Sequence, residues 1–596
     1  MALCRTLLLC LLTALTACQS TSPFEPDQVA SGPGGMVGNG EPLTPGEFGG
    51  GDDVLPAARD VTPPNEARPP DCDATCVSYC AGAGLKNPVN RGLCRSLWGV
   101  GLASRPIVQD EACRRLFVDM LGRLPSADEA AETCSGGWGA TVKRLLDSDE
   151  FIFVQQRRAA DRFLYSNEVT SLMAIYDMDR LVEKLYRGKV PYDLFAAVVS
   201  AHPVFTRRLA DPGDKAEQLF LQFLGRPPFE HERADMARLY RLWHSGYYDH
   251  PQLGERLPDA YIRFRCLNDK GQVDEVSRGE CASVLWGYNE LVFTPDIRAA
   301  RDPSLNNALT MWSGLLSPEE WARLQTPGRI LARDLAFWER AVDDVLEQYL
   351  GYELRVPEVR GELVRWLLEN QGDIRSVHFA VATSAAYLQS AAGATTSTYR
   401  WAYGPLKQVD AEVWIDSLAR VTGYALPGCD HRISQPENIL KSGSIAGYRV
   451  LQESRWKLND KGTVDERYSE LARTLGGCPE NVVGGRFRVV SILTTASQLS
   501  YVQGLCNPGL DPKTQGAAIE KLLPEGVGTS RAVNADLGEQ IATHQYRLFL
   551  GRSPDEAERL EAREAATVCS RELCTAEAFA RPFCFVLLSS AERIFY

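Results

Sequence analysis

"LFLQFLGRPP", residues 219–228, decides the fold: an apolar helical run meets Gly225, then Arg226 and two prolines. Glycine takes the left-handed conformation that closes a helix without a Cβ clash, and proline suits the start of the next segment. The phrase returns as "LFVDMLGRLP" at 116–125 and "YRLFLGRSP" at 546–554. A looser copy, "LEQYLGYELRVPE" at 346–358, keeps the glycine and proline and loses the arginine. Each copy reads as a helix-turn-helix junction. Ser126 lies three residues before Glu129 and Ser553 three before Glu556, the spacing of a capping box. Arg123, Arg226 and Arg552 are expected to donate to the open carbonyls that end the preceding helix.

The units also end alike. "VKRLLDSDEF" (142–151), "FAVATSAAYL" (379–388) and "FVLLSSAERIFY" (585–596) each place a small polar step after an apolar run. A phrase that begins and ends alike marks a duplicated module, spaced too irregularly for a solenoid. Residues 326–350 carry the clearest helical period, with Leu331, Leu335, Trp338, Val342, Val345 and Tyr349 on one face. Thr326 and Pro327 fit its start, Gly351 its stop, and Ser317-Pro318-Glu319-Glu320 a further helix start. A second, shorter duplication, "LNDKGQVDE" at 267–275 and "LNDKGTVDE" at 458–466, signals a hairpin with Gly271 and Gly462 at positive φ. Neither copy supplies the alternating oxygen ligands of a calcium loop. The predicted fold class is mainly α: a multi-subdomain helical body of duplicated helix-turn-helix modules with a few short β-hairpins.

The N-terminal segment "MALCRTLLLCLLTALTACQS" has the layout of a secretory signal, with Arg5 before an apolar stretch from Leu7 to Leu15. Leu15-Thr16-Ala17-Cys18 resembles the lipobox of bacterial lipoproteins, in which cleavage leaves the cysteine as the lipidated first residue. Gln19 rather than Asp after it implies outer-membrane sorting, and the acyl chains, palmitate among them, supply the anchor. Residues 18–71 then form a tether rich in Gly, Pro and acids, too poor in apolar surface to order itself. The expected divisions are 1–17 signal, 18–71 tether, 72–210 Cys-rich helical domain, 211–400 central domain, 401–535 third domain and 536–596 terminal helical module.

Of 17 cysteines, Cys4 and Cys10 leave with the signal and Cys18 takes lipid. The remainder is an even set, the mark of disulfides in an exported chain: Cys72, Cys76, Cys80, Cys94, Cys113, Cys134, Cys266, Cys281, Cys429, Cys478, Cys506, Cys569, Cys574 and Cys584. Cys72, Cys76 and Cys80 would stack on one helix face, which invites a metal. With no nearby His, bridges to Cys94, Cys113 or Cys134 are the better reading. No C-x-x-C-H haem motif occurs, and no cofactor is expected. A net charge of −13 argues against a nucleic-acid partner.

From "RRLFVDMLGRLPSADEA" through "VKRLLDSDEFIFVQQRRAADRFLY" to "LVEKLYRGKVPYDLFAAVVSAHPVF", the chain resembles a family of large secreted bacterial proteins first noted in planctomycetes, some fused to c-type cytochrome modules. "LVRWLLENQGDIRSVHFAVATSAAYLQS" (363–390) and "AEVWIDSLARVTGYAL" (411–426) look like its C-terminal partner segments. The terminal copy also resembles a Y-x-x-x-L-G-R-x-P-D repeat of exported proteins. This chain lacks the haem motif of the fused members, and the family supplies no catalytic residues to carry over.

No catalytic constellation is legible. His231-Glu232 begins like a zincin helix, but Asp235 stands where the second histidine belongs. His244 and His250 with Asp249 read as surface or loop residues rather than a metal site. No G-x-S-x-G or Walker sequence occurs. The paired acids Glu319-Glu320 and Asp343-Asp344 point in different directions along helices and read as solvated faces or helix starts. Trp338 and Trp366 read as core, and Trp286, Trp312 and Trp321 as core or a sugar platform. The sequence thus points to a noncatalytic outer-membrane lipoprotein that docks other envelope or surface proteins. The alternative is a surface polysaccharide hydrolase or carbohydrate-binding protein.

Overall fold

The computed structural model describes residues 72–80, 84–163, 172–202, 205, 209, 211–240, 325–354, 356–391, 399–422, 471–477, 491–507 and 517–596, with the short stretches 263–267, 273–274 and 290–292. The described body is mainly helical. Helix α1 (Pro88–Val100) starts from Asn87, whose side chain accepts from Val89 N. Helix α2 (Gln109–Leu121) stops at Gly122, φ 63°, and α3 (Ala127–Cys134) restarts from the expected Ser126/Glu129 capping box. There follow α4 (Trp138–Leu146), α5 (Asp149–Phe163), α6 (Leu172–Tyr186) and α7 (Tyr192–Ala201). The opening phrase ends α8 (Pro212–Leu224) on Gly225, φ 70°, ahead of α9 (Glu230–Leu239).

The single helix expected over 326–350 is two, α10 (Thr326–Leu331) and α11 (Leu335–Leu350). Asp334 divides them: its carboxylate accepts from Ala336 N at 2.9 Å and caps a new start, the local competition that short acidic side chains offer a helix. Thr326 and Pro327 lie inside α10, whose cap is Gln325. Gly351, φ 73°, is the stop. Beyond it lie α12 (Pro357–Glu369), α13 (Arg375–Ala382), α14 (Ala411–Thr422), α15 (Ile492–Cys506), α16 (Ala535–Phe549), α17 (Glu556–Arg571) and α18 (Ala576–Leu588). The cap of α17 is Asp555 with Glu558, not Ser553 with Glu556, because the Asp555 carboxylate accepts from Glu558 N at 2.8 Å. Ser317–Glu320 and the second hairpin phrase lie outside the described residues.

Buried side chains form two clusters. One runs from Cys76 to Ala402 and joins α1 to α12 across a long stretch of chain. At that crossing a Cβ on Gly92 would lie 2.8 Å from Val359 N, so only glycine lets the two backbones approach. The second cluster gathers Val118, Leu124 and Phe153 with residues from Val409 to Leu588. Helix α2 serves both, with Leu116 and Phe117 facing one and Val118 the other.

Disulfides pair Cys80 with Cys94, Cys113 with Cys134, Cys506 with Cys584 and Cys569 with Cys574. The expected stack of Cys72, Cys76 and Cys80 is not formed. Asp73 caps a single helical turn, Ala74–Ser78, so Cys72 precedes the turn and Cys80 follows it. Cys72 therefore bridges Cys76 rather than a distant cysteine. Cys266, Cys281, Cys429 and Cys478 lie outside the described residues.

A left-handed backbone costs an L-residue roughly 1–2 kcal/mol, and a Cβ at Gly225 would also meet Arg340 Cδ at 2.9 Å. Gly225→Val should lower the unfolding free energy by about 2 kcal/mol in urea titration. Gly99 is a contrast: it lies inside α1 with nothing near its Cβ position. Gly99→Ala should raise stability by roughly 0.5–1 kcal/mol.

Candidate functional site

The arginine of the repeated phrase does not close the helix before it. Arg123 donates to both oxygens of Glu129 (2.8 and 2.6 Å) and both of Glu150 (2.8 and 2.9 Å). Arg552 repeats this with Glu558 and Glu592, all four bonds at 2.7 Å. Arg226 grips Glu232 at 2.7 and 2.8 Å, with Asp334 as a second carboxylate at 3.9 Å. Each guanidinium lies over an aromatic ring of the preceding helix: Phe117 and Phe220 at 5.3 Å, Tyr546 at 5.0 Å. A planar fork facing two full carboxylate charges is favoured over the fractional charge of a helix end.

The first carboxylate of each latch also caps the next helix, accepting from the backbone nitrogen of Ser126, Phe229 or Asp555. Hydrogen bonds from Arg226 and Arg552 hold the Glu232 and Glu558 carboxyls below the usual range. The second carboxylate in two copies stands two residues after a serine, Ser148 or Ser590, whose Oγ donates to a carbonyl of the closing helix at 2.7 Å. In the looser copy Ser384 makes the same bond to Val381 O, but Ala386 replaces the acid and Tyr352 the arginine. Cation and anion are absent together.

The open carbonyls at these helix ends take donors from elsewhere. Three residues before Gly122, Gly225 and Gly351, Asp119 O accepts from Gln348 Nε2 (3.1 Å), Gln222 O from Arg162 Nη2, and Gln348 O from Lys407 Nζ (3.2 Å). Asp119 is the centre of this arrangement. Its buried carboxylate pairs with the Lys407 ammonium and accepts from Tyr387 Oη and Tyr596 Oη, each at 2.8 Å. Burial lowers the Lys407 pKa to about 8, against the opposing pull of Asp119.

Two cavities flank this cluster and are both lined by Arg158 and Gln348. The larger, about 490 Å³, lies among α5, α6, α7 and α11. There Asp344 is held by Arg162 at 2.9 Å and Arg340 at 2.6 Å, while Asp343 faces Arg360 at 2.8 Å. The expected solvated acidic face is thus three ion pairs, because arginines of α5, α12 and α11 itself cover it. An open groove of about 660 Å³ lies against α3 and α16 and carries Asp128, Asp536 and Glu539. Asp128 pairs with Arg547 at 2.8 Å, and Arg563 takes Asp536 and Glu539 at 2.9 and 2.7 Å.

His378 lines the larger cavity, fully buried and edge-on to Phe151, Tyr186 and Tyr349. Its Nδ1 lies 3.2 Å from Tyr349 Oη, and burial pushes its pKa down to about 3. Nothing in the sequence singled it out. His231 stacks on Phe229, and Glu232 beside it is the latch carboxylate, which explains that pair without a metal. Trp338 is buried, and Trp366 is partly buried with its indole nitrogen donating to Ser376 O at 3.1 Å. His244, Asp249, His250, Trp286, Trp312 and Trp321 lie outside the described residues, as does Cys18. Among the described residues no group of three His, Cys, Asp or Glu side chains is placed to hold a metal, and no helix is long and apolar enough to cross a membrane. No protein-family profile, curated protein or solved structure matches the chain.

Two outcomes test this geometry. The Arg123 side chain is 9% exposed and faces two acids, so Arg123→Ala should cost about 3 kcal/mol by leaving them uncompensated. Arg226→Ala, at a third-exposed side chain with one close acid, should cost about 1 kcal/mol in the same denaturation assay. His378 has a folded pKa below its unfolded value near 6.5. The unfolded chain therefore takes up this proton first on acidification, and the histidine's contribution to stability falls as pH drops from about 6.5 toward 3. His378→Asn, which keeps a partner for Tyr349 and does not titrate, should flatten the pH dependence of stability between pH 7 and 5 relative to the parent protein.

Proposed function

We propose that the chain is an outer-membrane lipoprotein, anchored through Cys18 and a Gly- and Pro-rich tether, whose helical body is a noncatalytic structural or interaction component of a cell-envelope or surface assembly. One observation carries the reading: the charged residues that recur between units, Arg123 with Glu129 and Glu150 and Arg552 with Glu558 and Glu592, are spent on internal latches. A repeated phrase whose chemistry is directed inward is a repeated structural unit. The matching latches, glycine stops and serine-ended closing helices support descent of these segments from one duplicated module. The antiparallel pairing of Cys266 with Asp274 and Leu267 with Val273 supports the first hairpin. Architecture shared with the planctomycete-type secreted family belongs to the same proposal, supported by the serine step at Ser148 and the helix Tyr192–Ala201 in its matching segments.

The hydrolase alternative needs two facing carboxylates free to act as acid and base. The acids of the larger cavity and the open groove described above are instead matched to arginines, apart from the exposed Glu347. Crosslinking on intact cells should join the body to one discrete envelope protein, and Cys18→Ser should abolish both membrane retention and that crosslink. Turnover of an envelope polysaccharide by the purified chain, lost on paired acidic substitutions that leave the melting temperature unchanged, would falsify the noncatalytic reading.

A further inference from the structure

We propose that the cavity among α5, α6, α7 and α11 binds a small amphipathic anion, a molecule with an apolar body and a carboxylate or phosphate head. At about 490 Å³ it falls within the size range of small-molecule sites. Its lining divides by character. Phe163, Phe195, Val182 and Leu185 offer an apolar wall, whereas Arg158, Arg162 and Arg340 bring three guanidiniums.

The cationic side is incompletely neutralised. Arg162 and Arg340 share Asp344. Arg158 makes no hydrogen bond or ion pair among the described residues. The only other acid in the lining is the exposed Glu347. An anion entering this space meets a guanidinium unshared among the described residues, whose fork suits the two oxygens of a carboxylate or phosphate.

Two further groups point to an acceptor. The side-chain nitrogens His378 Nε2 and Gln155 Nε2 are buried and have no hydrogen-bond partner, and both residues line the cavity. His378 is 0% and Gln155 2% exposed. Burial holds the Tyr349 phenol well above its ordinary pKa, so it keeps its proton, and its Oη lies 3.2 Å from His378 Nδ1, where it can act as the donor. With the phenol donating to Nδ1, the neutral imidazole carries its proton on Nε2, as a donor into the cavity. Two buried donors lining one cavity beside an arginine that is unshared among the described residues form a set that lacks only oxygen acceptors.

The test is calorimetric titration of the full chain in detergent with benzoate, octanoate and phenyl phosphate, using benzamide as the uncharged match. At least one anion should bind with a dissociation constant below about 1 mM and about tenfold tighter than benzamide. The preference between phenyl phosphate and the two carboxylates identifies the head. Arg158→Ala should weaken the preferred anion by about tenfold with an unchanged melting temperature, since Arg158 holds no partner among the described residues, and Gln155→Leu should weaken it as well. Equal binding of anions and benzamide, no binding of any anion at millimolar concentration, or parental affinity in Arg158→Ala would overturn the proposal.

Discussion

The carboxylate of Asp119 is the point on which the two buried clusters depend. It lies in α2, which, like α5, packs residues into both, and its partners come from far apart: Tyr387 from the first cluster's region, Lys407 and Tyr596 beside the second. A charge buried to this degree is tolerable only when paired and fully hydrogen-bonded. Its neighbours must therefore hold one geometry. Lys407 and Tyr596 do so with backbone bonds in both directions, Lys407 N to Tyr596 O and Tyr596 N to Lys407 O. Lys407 also covers Gly351, where a Cβ would meet its side chain at 2.5 Å, so the looser copy of the phrase is tied to the same cluster.

The arginine latches solve a local version of the same problem. A helix-turn-helix corner brings a helix end, a new helix start and the next unit's first turn together, and each exposes unpaired polar groups. The first carboxylate on each guanidinium satisfies the new helix start, while the open carbonyls of the helix before it take donors from other elements. The corners also meet one another: Gly551 approaches Pro125 O, Arg547 reaches Asp128, and Arg114 shares Glu592 with Arg552. The first and last copies of the phrase, far apart in the chain, thus form one contact. The joint absence of cation and acid at Tyr352 and Ala386 follows from the same electrostatics, since either charge alone would sit beside the core unmatched.

The larger cavity stands where these constraints relax. Arg162 of α5 reaches across to Asp344 of α11, and aromatic rings of α6 and α7 line the space beside that bridge. His378 Nε2 and Gln155 Nε2, both in the cavity's lining, are left without a hydrogen-bond partner. A binding space and a rigid frame are therefore compatible in one helical body.

The sequence by itself determined the helices, their glycine stops, the Ser126 capping box and the pool of cysteines, because each rests on residues a few positions apart. The sixth-residue spacing from Arg123, Arg226 and Arg552 to a glutamate was readable too, but its meaning depended on knowing that the glycine turns the chain toward the next helix start. Other features had no local signature. Asp334 divided a period that ran unbroken through it, and Cys72 turned to Cys76 because a cap at Asp73 shifted the turn. Which distant residues close on Asp119, where His378 is buried and how the acids of α11 find their arginines were decided only by tertiary packing. Burial and charge pairing act through space, and residues hundreds of positions apart meet there without any pattern along the chain.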